Sequence, residues 1–380
     1  MDSSKISVGL VVHDYDPNYG QGRYCVELVR RLHKDVRFTI FANTFNAPQF
    51  EGETRIKIPA IRFNALTTVY SFIPSAQYLV GKHPVDLIHA QGLTLWYADL
   101  ITGHICNAAR EKRMNTKWVK PRLFMRLVIP TERRFYRHQS NRRLIAISRT
   151  LEKEVRQFYD WNRPVSVIYH GTDSDVFRPA QSTEERNSLR QRFGVMGDQW
   201  TWLFMGEATK GLRQCIDQLK QFPEARLLVV TRSRLESFMA QADLLGVRSR
   251  VVFHGFESQP ELAFRAADVF LYPSDYDPFG MVVTEAMASG IPVVVGRDMG
   301  ASELIDHEVN GFLFDPHRPE EITACLRLLR NSPGMAETVG RLGRATLRQF
   351  GWDTCAAATL QVYKEVDAEK RSGASPRTVG

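Results

Sequence analysis

Short runs of apolar residues alternate along the chain with stretches in which apolar residues recur every three or four positions. The runs predict buried parallel strands, and the periodic stretches predict the amphipathic helices that connect them. This alternation is typical of a doubly wound α/β sheet. In the first half, strands are expected at residues 8–12, 38–41, 87–89, 100–103, 144–147 and 165–168, with helices that include 24–32 and 150–158.

The alternation breaks at residues 170–180, HGTDSDVFRPA, where Gly, Asp and Pro accumulate, and it then resumes. At 380 residues the chain also exceeds the size at which a single hydrophobic core usually keeps growing. We therefore expect two Rossmann-like domains, residues 1–175 and 176–351. In the second half, helices are expected at 183–193 and 354–365, and strands at 202–205, 226–230, 251–253, 269–272 and 292–295.

The composition, 43% hydrophobic and 24% charged, is that of a soluble globular protein. No apolar stretch approaches the roughly 20 residues that cross a bilayer, and the first residues lack a signal-peptide pattern, so we expect a cytoplasmic protein. The cysteines are odd in number and never in CxxC spacing, which favours buried free thiols over disulfides or a zinc site. They are Cys25, Cys106, Cys215, Cys325 and Cys355.

Positive charge is concentrated between residues 110 and 149. The formal net charge of the chain is +8, and this segment holds thirteen basic residues against only Glu111 and Glu132. Aromatic and aliphatic residues are interleaved with the basic ones, which favours peripheral contact with an anionic membrane surface or an anionic acceptor. A solvated basic helix face is the alternative. The segment has no recognisable nucleic-acid-binding motif, so a nucleic-acid partner is not expected.

Two loops after predicted strands could meet a phosphate, because doubly wound sheets bind ligands beyond the carboxyl ends of their strands. The first is HDYDPNYGQGR, in which Gly20 and Gly22 stand before a helix expected near Arg23. Its glycine pattern lacks the full GxGxxG, and an ordinary loop is the alternative. The second is MGEATKGLRQC, where Lys210 precedes a helix opened by Gly211. A lysine there can meet a diphosphate as a point charge, although a surface lysine remains the alternative.

The most informative segment is residues 271–295, LYPSDYDPFGMVVTEAMASGIPVVV. A buried strand runs into a loop with Asp277, and the helix that follows carries Glu285 about one turn in. Glu285 can accept hydrogen bonds from vicinal hydroxyls such as those of ribose. The first backbone N–H groups of a helix have no intrahelical partner, so they can face a sugar or phosphate. The residues predicted to supply them are Phe279, Gly280 and Met281.

This segment resembles the donor-site signature of the family-4 retaining glycosyltransferases of the GT-B fold, in which two acidic residues flank seven others. The similarity covers most of the chain. It implies two Rossmann-like domains that face each other across a cleft, with a final helix, about 352–370, that returns to the first domain. Similar segments are the glycine loop at 20–22, DLIHAQG (86–92), the strand ending at His104, LIAISRTLEKEV (144–155), HGTDSDVFRP (170–179), GASELIDHEVNGFLF (300–314) and FGWDTCAAATLQVY (350–363).

The resemblance assigns a role to each matching residue. Glu285 would hold the donor ribose, and Lys210 would neutralise the leaving diphosphate. Asp277 and the backbone of residues 279–281 would hold the donor sugar. His104, in LITGHICN, would point into the cleft near the donor sugar and the acceptor. By itself, a histidine at the end of a strand is more often structural.

The sequence departs from the family in three places. Asp277 stands where glutamate is usual and is one methylene shorter. Glu207 replaces an arginine, so Lys210 acts alone or with Arg213. The expected Gly-x-Gly reads TRSR at 231–234, and either arginine of that segment is a candidate for the missing positive charge.

The resemblance implies a hexosyltransferase-type enzyme that transfers a sugar, with retention, from a UDP- or GDP-linked donor to a glycan or lipid-linked acceptor in lipopolysaccharide or cell-envelope synthesis. No metal cofactor is expected, because lysine and helix N-termini stabilise the departing diphosphate. Asp-x-Asp spacings at 14–16, 173–175 and 275–277 are similar to a metal motif of another glycosyltransferase fold, but the first two lie in loops of ordinary turn composition. The alternatives are a catalytically inactive nucleotide-sugar or polyanion-binding protein and, less favoured, an epimerase or phosphorylase on the same architecture.

Overall fold

The computed structural model describes residues 5–114, 123–195, 197 and 199–376. The chain divides into two compact units. One contains the described residues up to Gly171 together with those from Trp352 onward, and the other is Thr172–Gly351. Part of the basic segment 110–149 lies outside the described residues, including Lys117, Lys120 and Arg122.

The first unit is built on a seven-stranded parallel sheet in the order β5-β3-β1-β6-β7-β8-β9, with a separate two-stranded ladder of β2 and β4. Its strands are β1 (Ile6–Val11), β2 (Asp14–Tyr15), β3 (Val36–Ala42), β4 (Thr44–Phe45), β5 (Thr54–Lys57), β6 (Leu87–Gln91), β7 (Leu100–Gly103), β8 (Arg143–Ala146) and β9 (Val165–Val167). Its helices before the crossover are α1 (Gly20–Leu32), α2 (Ala65–Lys82), α3 (Asn107–Met114), α4 (Leu123–Tyr136) and α5 (Arg149–Tyr159).

The second unit is built on a six-stranded parallel sheet in the order β12-β11-β10-β13-β14-β15. Its strands are β10 (Thr201–Met205), β11 (Arg226–Val230), β12 (Val251–His254), β13 (Val269–Tyr272), β14 (Val293–Gly296) and β15 (Phe312–Phe314). Its helices are α6 (Thr183–Arg192), α7 (Leu212–Gln218), α8 (Glu236–Leu244), α9 (Pro260–Ala266), α10 (Met281–Ala288), α11 (Pro319–Asn331) and α12 (Pro333–Leu347). The last helix, α13 (Trp352–Arg371), belongs to the first unit.

Both sheets are doubly wound, as the sequence predicts. In each, the strand order reverses next to the first strand of the unit, between β1 and β6 and between β10 and β13. Crevices at such reversals are where doubly wound sheets bind ligands. The central strands are continuous apolar runs because both of their faces are covered by helices. Every residue of β10, TWLFM, is buried, and a fully buried side chain of Leu or Phe size contributes roughly 1.5–3 kcal/mol.

Several boundaries differ from the prediction. Helix α1 begins at Gly20, ahead of the expected start near Arg23, so both glycines of the loop lie inside the helix. The short strands β5 and β15 were not predicted, and α13 extends beyond 354–365 at both ends. Among the described residues, no helix is long and apolar enough to span a bilayer.

Candidate active site

Two loops meet where the second sheet reverses its strand order. Residues 206–211 follow β10, and residues 273–280 follow β13, which is paired with β10. This pairing brings together two side chains that are 67 positions apart in the chain: Lys210 Nζ lies 2.7 Å from Asp277 Oδ2. Both residues were singled out from the sequence, and the structure places them in direct contact. Arg213 instead donates to Gln241 on α8, so it does not extend this pair.

Asp277 is only 9% exposed and is held by more than Lys210. The hydroxyl of Tyr272 donates to Oδ2 at 3.1 Å, and the backbone N–H of Phe279 donates to Oδ1 at 3.3 Å. The expectation that the Phe279 N–H is free is therefore wrong, because the side chain of Asp277, two residues earlier, accepts its hydrogen bond. Burial raises the pKa of Tyr272 well above its usual value, and the neighbouring Asp277 raises it further, so the hydroxyl stays a donor.

The loop that carries Asp277 rests against the backbone of three glycines. A Cβ on Gly211 would lie 2.4 Å from the carbonyl oxygen of Pro273, and one on Gly300 would lie 2.2 Å from that of Pro278. A Cβ on Gly296 would likewise lie 2.5 Å from the carbonyl oxygen of Ser274. Gly211 also has φ of +107°, which side chains disfavour. Any side chain at these glycines would push the loop, and Asp277 with it, out of position.

Helix α10 starts directly after this loop. Gly280 is its N-cap in the left-handed conformation, with φ of +89°, and Met281 is its first residue. The N-terminus of a helix carries partial positive charge and N–H groups without intrahelical partners, which favours an anion. Glu285, buried at 5% exposure, lies in the second turn of the same helix. The second unit thus combines a lysine, a helix N-terminus and two carboxylates, a set that suits a diphosphate and sugar hydroxyls.

In the first unit, the two glycines of the early loop have different surroundings. A Cβ on Gly22 would lie 2.2 Å from the carbonyl oxygen of Asp16 and 2.6 Å from that of Asp14, so Gly22 allows α1 to pack against this backbone. Around Gly20 there is no atom within 4 Å of such a Cβ. Of the two glycines, Gly22 is therefore required by close packing, whereas Gly20, the first residue of α1, has open space beside it.

His104 follows β7 and belongs to a buried hydrogen-bond chain in the first unit. Its Nε2 lies 2.8 Å from Gln91 Oε1, and Gln91 Nε2 lies 3.1 Å from His89 Nε2. His89 Nδ1 lies 2.8 Å from the hydroxyl of Tyr363 on α13. Because an amide nitrogen only donates and an amide oxygen only accepts, the chain puts a proton on His104 Nε2 and leaves a lone pair on its Nδ1.

The three buried histidines of this region, His89, His104 and His170, are neutral at pH 7. Burial lowers the pKa of His104 well below its usual value, and nearby His170 lowers it further. Burial also lowers the pKa of His89 and of His170 to about 3. Tyr24 contacts two of these histidines, with its ring stacked on His170 at 5.1 Å and edge-on to His104 at 5.4 Å. Sequence reasoning missed all these partners of His104, although DLIHAQG places His89 and Gln91 two residues apart, on one face of β6.

The aspartates of the first Asp-x-Asp spacing bind polar side chains, most of them from other segments of the first unit. Asp14 accepts hydrogen bonds from Thr44 and Arg62, and Asp16 accepts them from Asn18 and Asn46. Within the described part of the chain, no group of three or more His, Cys, Asp or Glu side chains is arranged to hold a metal ion.

Two doubly wound sheets, the second with a candidate anion site where its strand order reverses, are typical of a GT-B architecture. Two family models match the chain, "Glycosyltransferase Family 4" over residues 19–176 and "Glycosyl transferases group 1" over residues 185–346. Each of the two units thus matches a glycosyltransferase family model. The structure is similar to that of sucrose-phosphate synthase from Thermosynechococcus elongatus, with a TM-score of 0.81 and 20% identity, over 96% of this chain and 100% of that one. This likeness confirms the GT-B fold.

Curated relatives match over part of their length. An uncharacterized glycosyltransferase of Methanocaldococcus jannaschii is 36% identical over 236 residues, which cover 58% of this chain and 59% of that protein. D-inositol 3-phosphate glycosyltransferase of Xylanimonas cellulosilytica is 34% identical over 236 residues, covering 58% and 56%. The chain thus spans less than two thirds of the length of these relatives.

Proposed function

We propose that this protein transfers a sugar from a UDP- or GDP-linked donor to an acceptor hydroxyl. The observation that carries the proposal is the contact between Lys210 and Asp277, 2.7 Å apart, directly before the N-terminus of α10. When a donor binds, its diphosphate would take the place of Asp277 as the partner of Lys210. Asp277 would then be released to accept hydrogen bonds from the sugar, while Tyr272 keeps hold of its carboxylate.

In the proposed reaction, the bond between the anomeric carbon and the diphosphate oxygen breaks, and its electron pair stays on the diphosphate. Lys210 and the backbone N–H groups of Gly280 and Met281 stabilise the charge that develops there. Glu285 holds the ribose hydroxyls. We propose retention of configuration, with the acceptor attacking from the same face and giving its proton to the departing phosphate oxygen. We also propose that the reaction is independent of metal, because these groups supply the positive charge themselves.

His104 is proposed to lie near the donor sugar and the acceptor. As a neutral imidazole with its lone pair on Nδ1, it can accept a hydrogen bond from a sugar hydroxyl but supplies no charge. Replacing His104 by alanine should therefore spare donor binding and lower the rate of transfer. Equal loss of donor binding and transfer would contradict this role and indicate a structural one.

We propose a glycan or lipid-linked acceptor in cell-envelope synthesis, such as lipopolysaccharide, and a location at the cytoplasmic face of the membrane. The proposal is supported by α4, which exposes Leu123 and Leu127 beside Arg126, Arg133 and Arg134. The name of the Xylanimonas relative adds a phosphorylated inositol as a second acceptor class to test. Retention on anionic liposomes at low salt, but not on neutral ones, would support the membrane location. Equal behaviour on both would contradict it.

The first experiment is a melting-temperature series with UDP-, GDP- and ADP-sugars in EDTA. A donor at a hundred times its Kd should stabilise the folded protein by about 2.7 kcal/mol, and Glu285→Ala should abolish this rise. No rise with any donor would contradict the proposed donor site. Product analysis by NMR then tests the anomeric outcome, and donor binding without turnover would favour the catalytically inactive alternative.

A further inference from the structure

A cavity of about 470 Å³ lies at the edge of the second sheet opposite to the candidate active site. Its lining comes from residues just before strands: Trp200 precedes β10, Ala225 precedes β11, and Arg250 precedes β12. These three strands are neighbours in a parallel sheet, so their amino ends lie together at one edge. Lys210 and Asp277 follow the carboxyl ends of β10 and β13, at the other edge. The cavity is therefore separate from the donor site.

Three arginines and one carboxylate line this cavity. Arg226 and Arg250 come from the amino edge of the sheet, Arg330 comes from α11, and Glu224 is the acidic residue. Arg330 Nε lies 3.2 Å from Glu224 Oε1, and both side chains are nearly half exposed. Three positive charges against one negative charge leave the lining with a net charge of +2. Burial lowers the pKa of Arg250; Glu224 opposes this shift and the nearby charge of Arg226 adds to it.

The arginines are already oriented by the protein. Arg226 Nη1 donates to the carbonyl oxygen of Ser249 at 3.1 Å, and Arg250 Nη1 donates to that of Phe222 at 2.8 Å. The guanidinium of Arg330 lies over the ring of Trp200, 5.6 Å from its centre. Each of these contacts fixes the side chain and leaves other guanidinium nitrogens to donate. An oriented guanidinium loses less conformational entropy on binding, and its fork matches a phosphate group.

We propose that this arginine cavity binds the phosphate group of a small phosphorylated metabolite, at a site separate from the donor site. Glu224 then has a defined role, because it neutralises Arg330 when the cavity is empty and competes with the phosphate for it. Binding would exchange the exposed ion pair of Arg330 and Glu224, which is worth little in water, for bonds from several guanidinium groups. The proposal does not depend on the glycosyltransferase reaction.

The test measures the binding of inorganic phosphate by isothermal titration calorimetry, with sodium chloride at equal ionic strength as the reference. It is done in Lys210→Ala protein, so that the donor site does not contribute. The double variant Arg226→Gln/Arg330→Gln should weaken phosphate binding at least tenfold. Arg248→Gln is the matched control, since it removes one exposed arginine beside Arg250 that does not line the cavity, and it should leave binding unchanged.

Glu224→Gln gives the sharper result, because the proposal requires a gain. It removes the competing carboxylate and raises the net charge of the lining to +3, so phosphate should bind several-fold more tightly. This exposed position tolerates the change, which keeps the test valid even if the double arginine variant fails to fold. Unchanged or weaker binding in Glu224→Gln would overturn the proposal. So would a phosphate response equal to that of chloride, or one that is present in the unmodified protein and lost in Lys210→Ala.

Two carriers of the phosphate group are then compared, glucose 6-phosphate in solution and phosphatidic acid in vesicles. Arginine-dependent binding of glucose 6-phosphate identifies the ligand as a soluble metabolite. Binding of the vesicles alone would overturn that part of the proposal and identify a lipid headgroup instead. A failure of the nucleotide-sugar series would leave this result untouched, because different residues and different ligands are measured.

Discussion

The carboxyl edges of the two sheets have the same topology but opposite chemistry. In the first unit, His89, His104 and Gln91 form a neutral chain packed against aromatic rings. In the second unit, Lys210 and Asp277 form an ion pair beside a helix N-terminus. One strand order thus serves a neutral edge that can hold hydroxyls and a charged edge that can hold a diphosphate. The chemistry depends on the few residues that follow the strands, and each of these residues can be tested separately.

The largest effect is expected at the charged edge, from Lys210→Ala. This change removes the positive charge that would stabilise the proposed leaving group, and it leaves Asp277 without its ion-pair partner. Transfer should fall by about 10²–10³-fold, as when one preorganised donor to a developing charge is lost. Steady-state kinetics with the donor found in the melting series provide the measurement. Lys220→Ala, at an exposed position, is the control, and a loss below threefold in Lys210→Ala would contradict the proposed role.

The next effect concerns the glycines that support the charged edge. In Gly300→Ala the new methyl group would start 2.2 Å from the carbonyl oxygen of Pro278, so the loop must move. The free energy of unfolding should fall by about 1–3 kcal/mol, the usual cost of overpacking. Urea denaturation measures it. Gly334→Ala in α12 meets no atom within 4 Å and should change stability by less than about 1 kcal/mol. Equal effects of the two changes would mean that the loop is not held by close packing.

The neutral edge should respond to acid. His89, His104 and His170 have pKa values lowered in the folded protein from the usual 6.5, so the unfolded chain takes up protons first as the pH falls. The contribution of these histidines to the stability of the fold is fully present above pH 6.5 and is lost progressively below it. Each histidine should cost about 1 kcal/mol between pH 6.5 and 5.5. In His170→Phe, which keeps the ring stacked on Tyr24, the loss should be smaller by about that amount.

Glu132 on α4 works in the opposite direction. Burial raises its pKa to about 7, against the hydrogen bonds from Tyr159 and Asn107, so the folded state keeps a proton that the unfolded state releases above about pH 4.5. Protonation of Glu132 therefore stabilises the first unit as the pH falls, and this gain offsets the loss of stability caused by about one histidine. Hydrogen exchange of the first-unit strands at pH 6.5 and 5.5 gives the measurement. A steeper acid loss is expected in Glu132→Gln, and an unchanged slope in both variants would contradict the account.

The smallest effect is expected for Tyr272→Phe, which removes the hydroxyl that donates to Asp277 Oδ2 but keeps Lys210. One hydrogen bond of this kind is worth about 1 kcal/mol, so kcat/KM should fall about fivefold. Stability should change little, because the ring stays stacked on Phe204. Tyr78→Phe, at an exposed tyrosine of α2, is the matched control. A loss as large as that of Lys210→Ala would mean that Tyr272 contacts the substrate directly.

The central strands could be predicted because they are continuous apolar runs. Strands β10, β13 and β14 lie within one or two residues of the expected 202–205, 269–272 and 292–295. The edge strands β5 and β15 are different. The four residues of β5, TRIK, have no apolar run, and they are a strand because their backbone pairs with β3. That pairing joins segments that are distant in the chain, so no local sequence pattern predicts it.

The candidate site was predictable residue by residue but not as an arrangement. Lys210 and Asp277 stand in recognisable segments, yet their contact depends on the pairing of β10 with β13. The same holds for His89 and Tyr363, whose hydrogen bond spans 274 positions. The arginine cavity does leave a local signal, because Arg226 is the first residue of β11 and Arg250 directly precedes β12. Finding it requires a search of the amino ends of strands as well as the carboxyl ends.

The return of α13 to the first unit has a consequence for synthesis on the ribosome. The second unit is a single stretch, Thr172–Gly351, and can close its sheet as soon as it has emerged. The first unit is translated earlier but completes its fold later, because α13 is made last. Only then can His89 form its hydrogen bond with the Tyr363 hydroxyl and Gly171 its close contact with Trp352. A premature stop codon just before Trp352 would therefore cost the half of the protein that was translated first.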